Sequence, residues 1–427
     1  MDLQNAIPGE QPQGPFCKLR IELHGATKNA PEFQKLKRIY VSKRAVLKHG
    51  FLTEDPPDYI AANDFDYFQS EFPNFEAQYN KYVQIDGTRI LNRAPGETTK
   101  KISEIIGVGC GLIYATKLLQ ADIRSVTKIP PPEKKVKYMD FEIPCDRGTA
   151  YFEAKGTIND TSVSRMIGDI DEKKKLSVAP VKFGTVTVAR KAADPNASVL
   201  YVEDDPPEVG HQRHGRGSQH QRLRQIISHY ISYLSLILDS SAYNRFIRQF
   251  RRIESVAPPV SVRRIPQRLH RRDVEYVGEF FDHRLISERI RELHRPEMSL
   301  DRLFKQLTSN FGRRKLFLGI DSRVIDMYNG RKLDELLAYT HEPIDFDIQR
   351  GFDFVDRDGV TIIKSVDGSD ARIDEAFTEA EVRQRLGYYV NYIRQEPAPC
   401  GASCRGHGIE GKACENVTYR GRCHFHR

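Results

Sequence analysis

The chain has 427 residues and a mass of 49.0 kDa, roughly two to three times the usual single domain and enough to bury a substantial core. A hydrophobic content of 39%, a charged content of 29% and a mean hydropathy of -0.55 exclude a membrane-embedded or collagen-like chain. Lys+Arg 66 against Asp+Glu 58 leave a net +8 and a pI near 9.0, which favours polyanionic partners without requiring them.

Residues 1–16 carry neither the basic start nor the apolar stretch of a secretion signal and read as a disordered leader, so a cytoplasmic protein is expected. Residues 17–98 form an α/β region of unclear role that opens with the alternating strand Cys17–Leu23. A helix is predicted from near Thr98 past Leu119. Within it, Gly107-Val108-Gly109-Cys110-Gly111 follows no strand and precedes no Gly-Lys-Ser/Thr, so close packing of helix on sheet accounts for it better than a nucleotide loop does. Pro130–Pro132 stop regular structure. Strands are then predicted at Val136–Ile143 and Ala150–Thr157, a polar helix at Ser162–Lys175, and strands at Phe183–Arg190 and Ser198–Glu203.

Residues 206–222 read as a Pro/Gly/His/Gln linker whose histidines stay solvated. Residues 223–310 form an Arg-rich helical region. Its apolar stretch Ile226–Leu238, interrupted by His229 and three serines, is short of the ~18 apolar residues a membrane span needs and reads as buried core. Residues 311–396 are strand-rich, with turn signals at Asn329-Gly330 and Asp358-Gly359. They end in a helix capped by Thr378 and Glu381 and reaching about Arg394. Residues 397–427 are a cysteine-rich tail.

The strand Tyr151–Thr157 is the most informative stretch. Side chains alternate along a strand, so Glu153 and Lys155 share one face while Phe152 and Ala154 point to the other, toward a core. Asp140, on the preceding strand, can place a second carboxylate beside Glu153. Two carboxylates plus waters are a normal way to hold Mg²⁺. An acid-x-Lys triplet is weak by itself, since Glu133/Lys135, Asp171/Lys173, Glu172/Lys174 and Glu410/Lys412 also match. The competing reading is an exposed cross-strand salt pair worth at most ~1 kcal/mol.

With Asp140-Phe141 and Glu153-Ala154-Lys155-Gly156 in this order of elements, residues 99–205 resemble the PD-(D/E)xK nuclease superfamily, which includes many restriction endonucleases. The resemblance implies a helix, three strands bearing first Asp and then Glu-x-Lys, a second helix and a further strand. It also implies Asp140 and Glu153 as ligands of Mg²⁺ or Mn²⁺ and Lys155 as the water-orienting or charge-stabilising group. Glu104 matches the helix glutamate that some members add. Met139 stands where proline would precede the first acid, and Asp146 competes with Asp140 for that role.

Cys404, Cys414, Cys423 and His426 are spaced C-x9-C-x8-C-x2-H, which suits one tetrahedral structural Zn²⁺ and is similar to small zinc modules. Cys400 and His407 are spare donors, and an unstructured tail with free thiols is the alternative. Between Arg245 and Arg295 thirteen arginines face seven acids. Arg248, Arg251, Arg252, Arg271 and Arg272 are candidate phosphate contacts, while solvated faces laced with salt pairs fit equally well.

The fold class expected is therefore α/β (α+β): a restriction-endonuclease-like mixed sheet flanked by helices, an Arg-rich helical region and a C-terminal zinc knuckle. The function expected is a Mg-dependent deoxyribonuclease in a bacterial or phage setting, in defence or DNA processing. Its partner is nucleic acid rather than membrane, with room for a homodimer. The alternative is a catalytically inactive nucleic-acid- or protein-binding scaffold.

Overall fold

The computed structural model describes residues 16–53, 72–129, 137–204, 222–230, 267–282 and 315–365 apart from isolated positions, together with Tyr233, Ala398–Pro399 and Val417–Thr418. By its contacts the chain divides into two units. The first spans Met1–His283 and Lys315–Arg372, and the second Arg284–Arg314 and Ile373–Arg427. In the second unit the described residues form one short antiparallel pair, Ala398↔Thr418 and Pro399↔Val417. The helix expected from Thr378 lies outside the described residues.

The first unit is mixed α and β, as the composition and patterning imply. Among the described residues nine strands precede residue 206: β1 (Phe16–Leu23), β2 (Arg38–Ser42), β3 (Val83–Asp86), β4 (Arg89–Asn92), β5 (Thr127–Lys128), β6 (Phe141–Cys145), β7 (Gly148–Thr157), β8 (Val181–Val188) and β9 (Val199–Asp204). Seven of them build one sheet in the order β2-β1-β9-β8-β7-β6-β5. In it β7 and β8, and β1 and β9, run parallel and the other neighbours antiparallel. β1 buries Cys17, Leu19 and Ile21 and exposes Lys18 and Arg20, the alternation of a strand with one covered face. Because β1 and β2 complete the sheet that β5–β9 begin, the chain boundary expected near residue 98 does not separate two sheets.

Three helices matter for this sheet: α1 (Lys43–Leu47), which continues as a π-helical turn over Lys48–Leu52, α2 (Gly96–Leu119) and α3 (Val163–Leu176). α2 is apolar on nearly every side because it is a middle layer. A Cβ on Gly107 would lie 2.3 Å from the Gly156 nitrogen, and one on Gly111 2.9 Å from the Ala154 Cβ, whereas one on Gly109 would meet the Val46 carbonyl of α1 at 2.3 Å. Gly107 and Gly111, one helical turn apart, thus let α2 down onto β7, and Gly109 admits α1 on the other side. By length and composition α2 could cross a membrane, with a hydropathy of 1.5 over its most apolar window, but 72% of that window is buried in the protein. A parallel strand pair needs a crossover, and α3 supplies it between β7 and β8, packing Val163, Ile167 and Ile170 on Val186 and Val188.

The second sheet is wholly antiparallel, in the order β10-β11-β12-β15-β14-β13. It comprises β10 (Gln267–Arg271), β11 (Val274–Asp282), β12 (Lys315–Asp321), β13 (Ile344–Ile348), β14 (Gly351–Val355) and β15 (Val360–Ser365). Leu316, Leu318 and Ile320 of β12 share an apolar cluster with Ile226, Ile227 and Tyr230 of the helical residues 222–230. Val324 and Tyr328 of α4 (Ser322–Asn329) and Leu336 of α5 (Leu333–Ala338) complete it.

Two expectations change here. The region read as helical between 223 and 310 contains the β10–β11 hairpin. Asp273, just before β11, has φ 63, and the dense charge of the segment hid its alternation. Asn329-Gly330 ends α4 rather than turning a hairpin, whereas Asp358-Gly359 does turn one, with Gly359 at φ 77.

Candidate active site

The β6–β7 hairpin pairs Phe141 with Phe152, so Asp140, one residue before β6, stands across from Glu153. The Ile129 amide donates to the Asp140 carbonyl at 2.8 Å and fixes that backbone. Phe152 and Ala154 face α2, and Glu153 and Lys155 project from the opposite face, on the side of α3. Glu153 is paired along the sheet with Gly184 of β8. A Cβ at Gly184 would lie 2.5 Å from Ile170, so the glycine lets α3 seat closely. One turn further along α3, Lys173 then reaches down over both carboxylates.

Lys173 Nζ lies 2.6 Å from Glu153 Oε1 and 3.2 Å from Asp140 Oδ1. Lys155 Nζ lies 3.3 Å from the same Glu153 oxygen. Glu153 is only 1% exposed, which removes the exposed salt pair as a description of this strand. Its second oxygen, Oε2, is buried without a hydrogen-bond partner. Burial, and next the nearby Asp140, push the Glu153 carboxyl up to about 7, against the opposing pull of Lys173 and Lys155. Burial would lower the Lys173 ammonium, but Glu153 and Asp140 outweigh it and raise that group.

Asp140, Glu153 and Lys155 therefore come together. Lys173 joins them, although the sequence pattern singled it out only as one of several acid-x-Lys matches. The signal that could have found it is helical spacing, since Lys173 follows the buried Ile170 by three residues on one face of α3. Glu104 does not join: it is an exposed residue of α2, the helix on the other face of the sheet, and pairs with Lys100 at 3.9 Å. Asp146 lies outside the described residues, as do Cys404, Cys414, Cys423, His426, Arg248, Arg251, Arg252 and Arg272. Arg271 belongs to β10, not to a helix, and its Nε lies 3.9 Å from Asp353 Oδ1.

Among the described residues no three His, Cys, Asp or Glu side chains gather as a metal cage. Asp140 and Glu153 nevertheless suit a hard divalent cation that keeps most of its waters, because a cation already bridges them and one oxygen of Glu153 has no partner. Compared with known proteins, the chain has no significant match to any family model, curated protein or solved structure.

Proposed function

We propose that the chain is a metal-dependent nuclease that hydrolyses phosphodiester bonds, with DNA as substrate, on a restriction-endonuclease-like scaffold. The observation that carries this reading is the bridging of Asp140 and Glu153 by a cationic group, with Lys155 at 3.3 Å from the same carboxylate. The element order supports it: helix α2, strands β5, β6 and β7, helix α3 and strand β8, with Asp140 immediately before β6 and Glu-x-Lys on β7. The net charge of +8 suits a polyanionic substrate.

In this reading Asp140 and Glu153 hold Mg²⁺ or Mn²⁺, which when bound would lower the pKa of a water and polarise a phosphoryl oxygen. Lys155 orients that water or offsets charge growing on the phosphate. Lys173 neutralises the two carboxylates until a divalent ion takes its place. Cys404, Cys414, Cys423 and His426 would add a structural zinc to the tail.

The position of Lys173 also favours a second reading, a scaffold without chemistry, because an ammonium alone can satisfy the two acids. Plasmid incubated with Mg²⁺ or Mn²⁺ separates the two. The enzyme nicks it, and Glu153→Ala and Lys155→Ala each lose at least about a hundredfold in rate; equal behaviour of all three proteins would leave the scaffold.

A further inference from the structure

A cavity of about 600 Å³ lies away from β6 and β7, between the start of α1, strand β3 and strands β13–β15 at one end of the second sheet. Five cationic side chains line it, Lys43, Arg44, Lys81, Arg93 and Lys364, against the two carboxylates Asp345 and Asp347. Those carboxylates are already engaged. Each accepts from Arg44, whose guanidinium also sits 4.2 Å from the centre of the Phe352 ring. Lys364 is held by the buried Glu76 at 3.0 Å.

Among the described residues the remaining three cations have no such carboxylate partner. Lys43 donates to the Asn80 carbonyl at 2.9 Å, and Lys81 and Arg93 are exposed at the rim, the Lys81 ammonium 4.9 Å from the centre of the Tyr82 ring. No carboxylate among the described residues forms an ion pair with any of the three. Burial, and next Arg44, lower the Lys43 ammonium to about 8, with Lys364 acting the same way and Glu76 and Asp347 opposing. An anion entering the cavity would relieve that crowding of positive charge. Ile85 of β3 adds a partly exposed apolar wall, with Val83 buried in the core beside it, and the volume exceeds what a bare phosphate needs and falls in the range of small-molecule sites.

We propose that this cavity binds a nucleoside monophosphate, with its phosphate among Lys43, Lys81 and Arg93 and the face of its base against Ile85. Arg93 offers a planar fork for two phosphate oxygens, and Lys43 and Lys81 act as point charges. This assignment does not depend on the nuclease reading, because it uses none of Asp140, Glu153, Lys155 or Lys173.

Isothermal titration of the full chain with AMP, GMP, CMP and UMP tests it. At least one nucleotide should bind saturably, and its nucleoside and inorganic phosphate should each bind at least about tenfold more weakly. Lys81→Glu with Arg93→Glu, both at exposed positions, should weaken the nucleotide by at least about tenfold while the melting temperature stays close to that of the parent. Lys43→Met should do the same without adding negative charge. Glu153→Ala should bind as the parent does. Absence of saturable binding at millimolar concentration, unchanged affinity in the Lys81/Arg93 variant, or equal loss in Glu153→Ala would overturn the assignment.

Discussion

Glu153 is the most strained ionisable residue of the candidate site, buried and pushed up from 4.5 to about 7. A carboxyl shifted this way binds more protons folded than unfolded between those values. Its contribution to stability is full below about 4.5 and is lost as pH rises through about 7. Glu153→Gln cannot ionise. It should therefore unfold later than the parent at about pH 8, by up to roughly 3 kcal/mol, and lose that advantage below about pH 5. Urea melts at the two pH values check this, and an equal difference at both would contradict it. Lys173→Met removes the cation 2.6 Å from Glu153 while Lys155 remains. It should cost about 3 kcal/mol in metal-free buffer, and Mn²⁺ should raise its Tm more than that of the parent. A Mn²⁺ response no larger than the parent's would argue against a divalent site between the two acids.

At the scale of elements, α2 and β7 meet backbone to backbone, because Gly107 and Gly156 leave no side chain between them. A Cβ on Gly156 would come within 1.7 Å of the Ser103 carbonyl. Gly107→Ala must therefore push the helix off the strand beside Lys155, at a cost of about 1–3 kcal/mol or more. Gly168 of α3 is the matched control, since nothing lies within 4 Å of a Cβ there. Gly168→Ala should stabilise by about 0.5–1 kcal/mol through helix propensity alone. Opposite signs in urea denaturation are expected, and the same sign for both would refute the close-packing account. The glycine spacing was legible in the sequence because residues four apart share a helix face. The β10–β11 hairpin was not, because the arginines of that segment satisfy helix and strand equally well.

At the scale of the first unit, the two sheets are joined by charges rather than by apolar contact alone. Lys48, 1% exposed, donates to Asp356 and Asp358 at 2.6 Å each, and His229 bonds Asp358 at 2.8 Å. Arg124 donates to the Leu336 and Leu337 carbonyls of α5 at 2.9 and 3.0 Å. Lys48→Met leaves the buried Asp358 and the part-buried Asp356 with, among the described residues, only His229 and His49 beside them, and should cost about 3 kcal/mol, read as a lower urea midpoint. Lys48→Met together with Asp356→Asn and Asp358→Asn should recover part of that loss, because the uncompensated charge is gone. A triple variant no more stable than the single one would show that the lysine acts through packing only.

Local stereochemistry let the sequence alone determine the order helix, hairpin, helix, strands between Thr98 and Glu203, and the common face of Glu153 and Lys155. It determined neither the two-residue β5 nor the start of β6 at Phe141 rather than Val136. Strand alternation and helical period depend only on neighbours along the chain. Tertiary structure alone decided that β1 and β2 extend the same sheet, that Glu153 is buried, that Lys173 bridges it to Asp140, and that Glu104 stays away. Each of these depends on how closely one layer settles on another. That depth is set by residues such as Gly184, whose missing side chain admits Ile170, a meeting no pattern along the chain records.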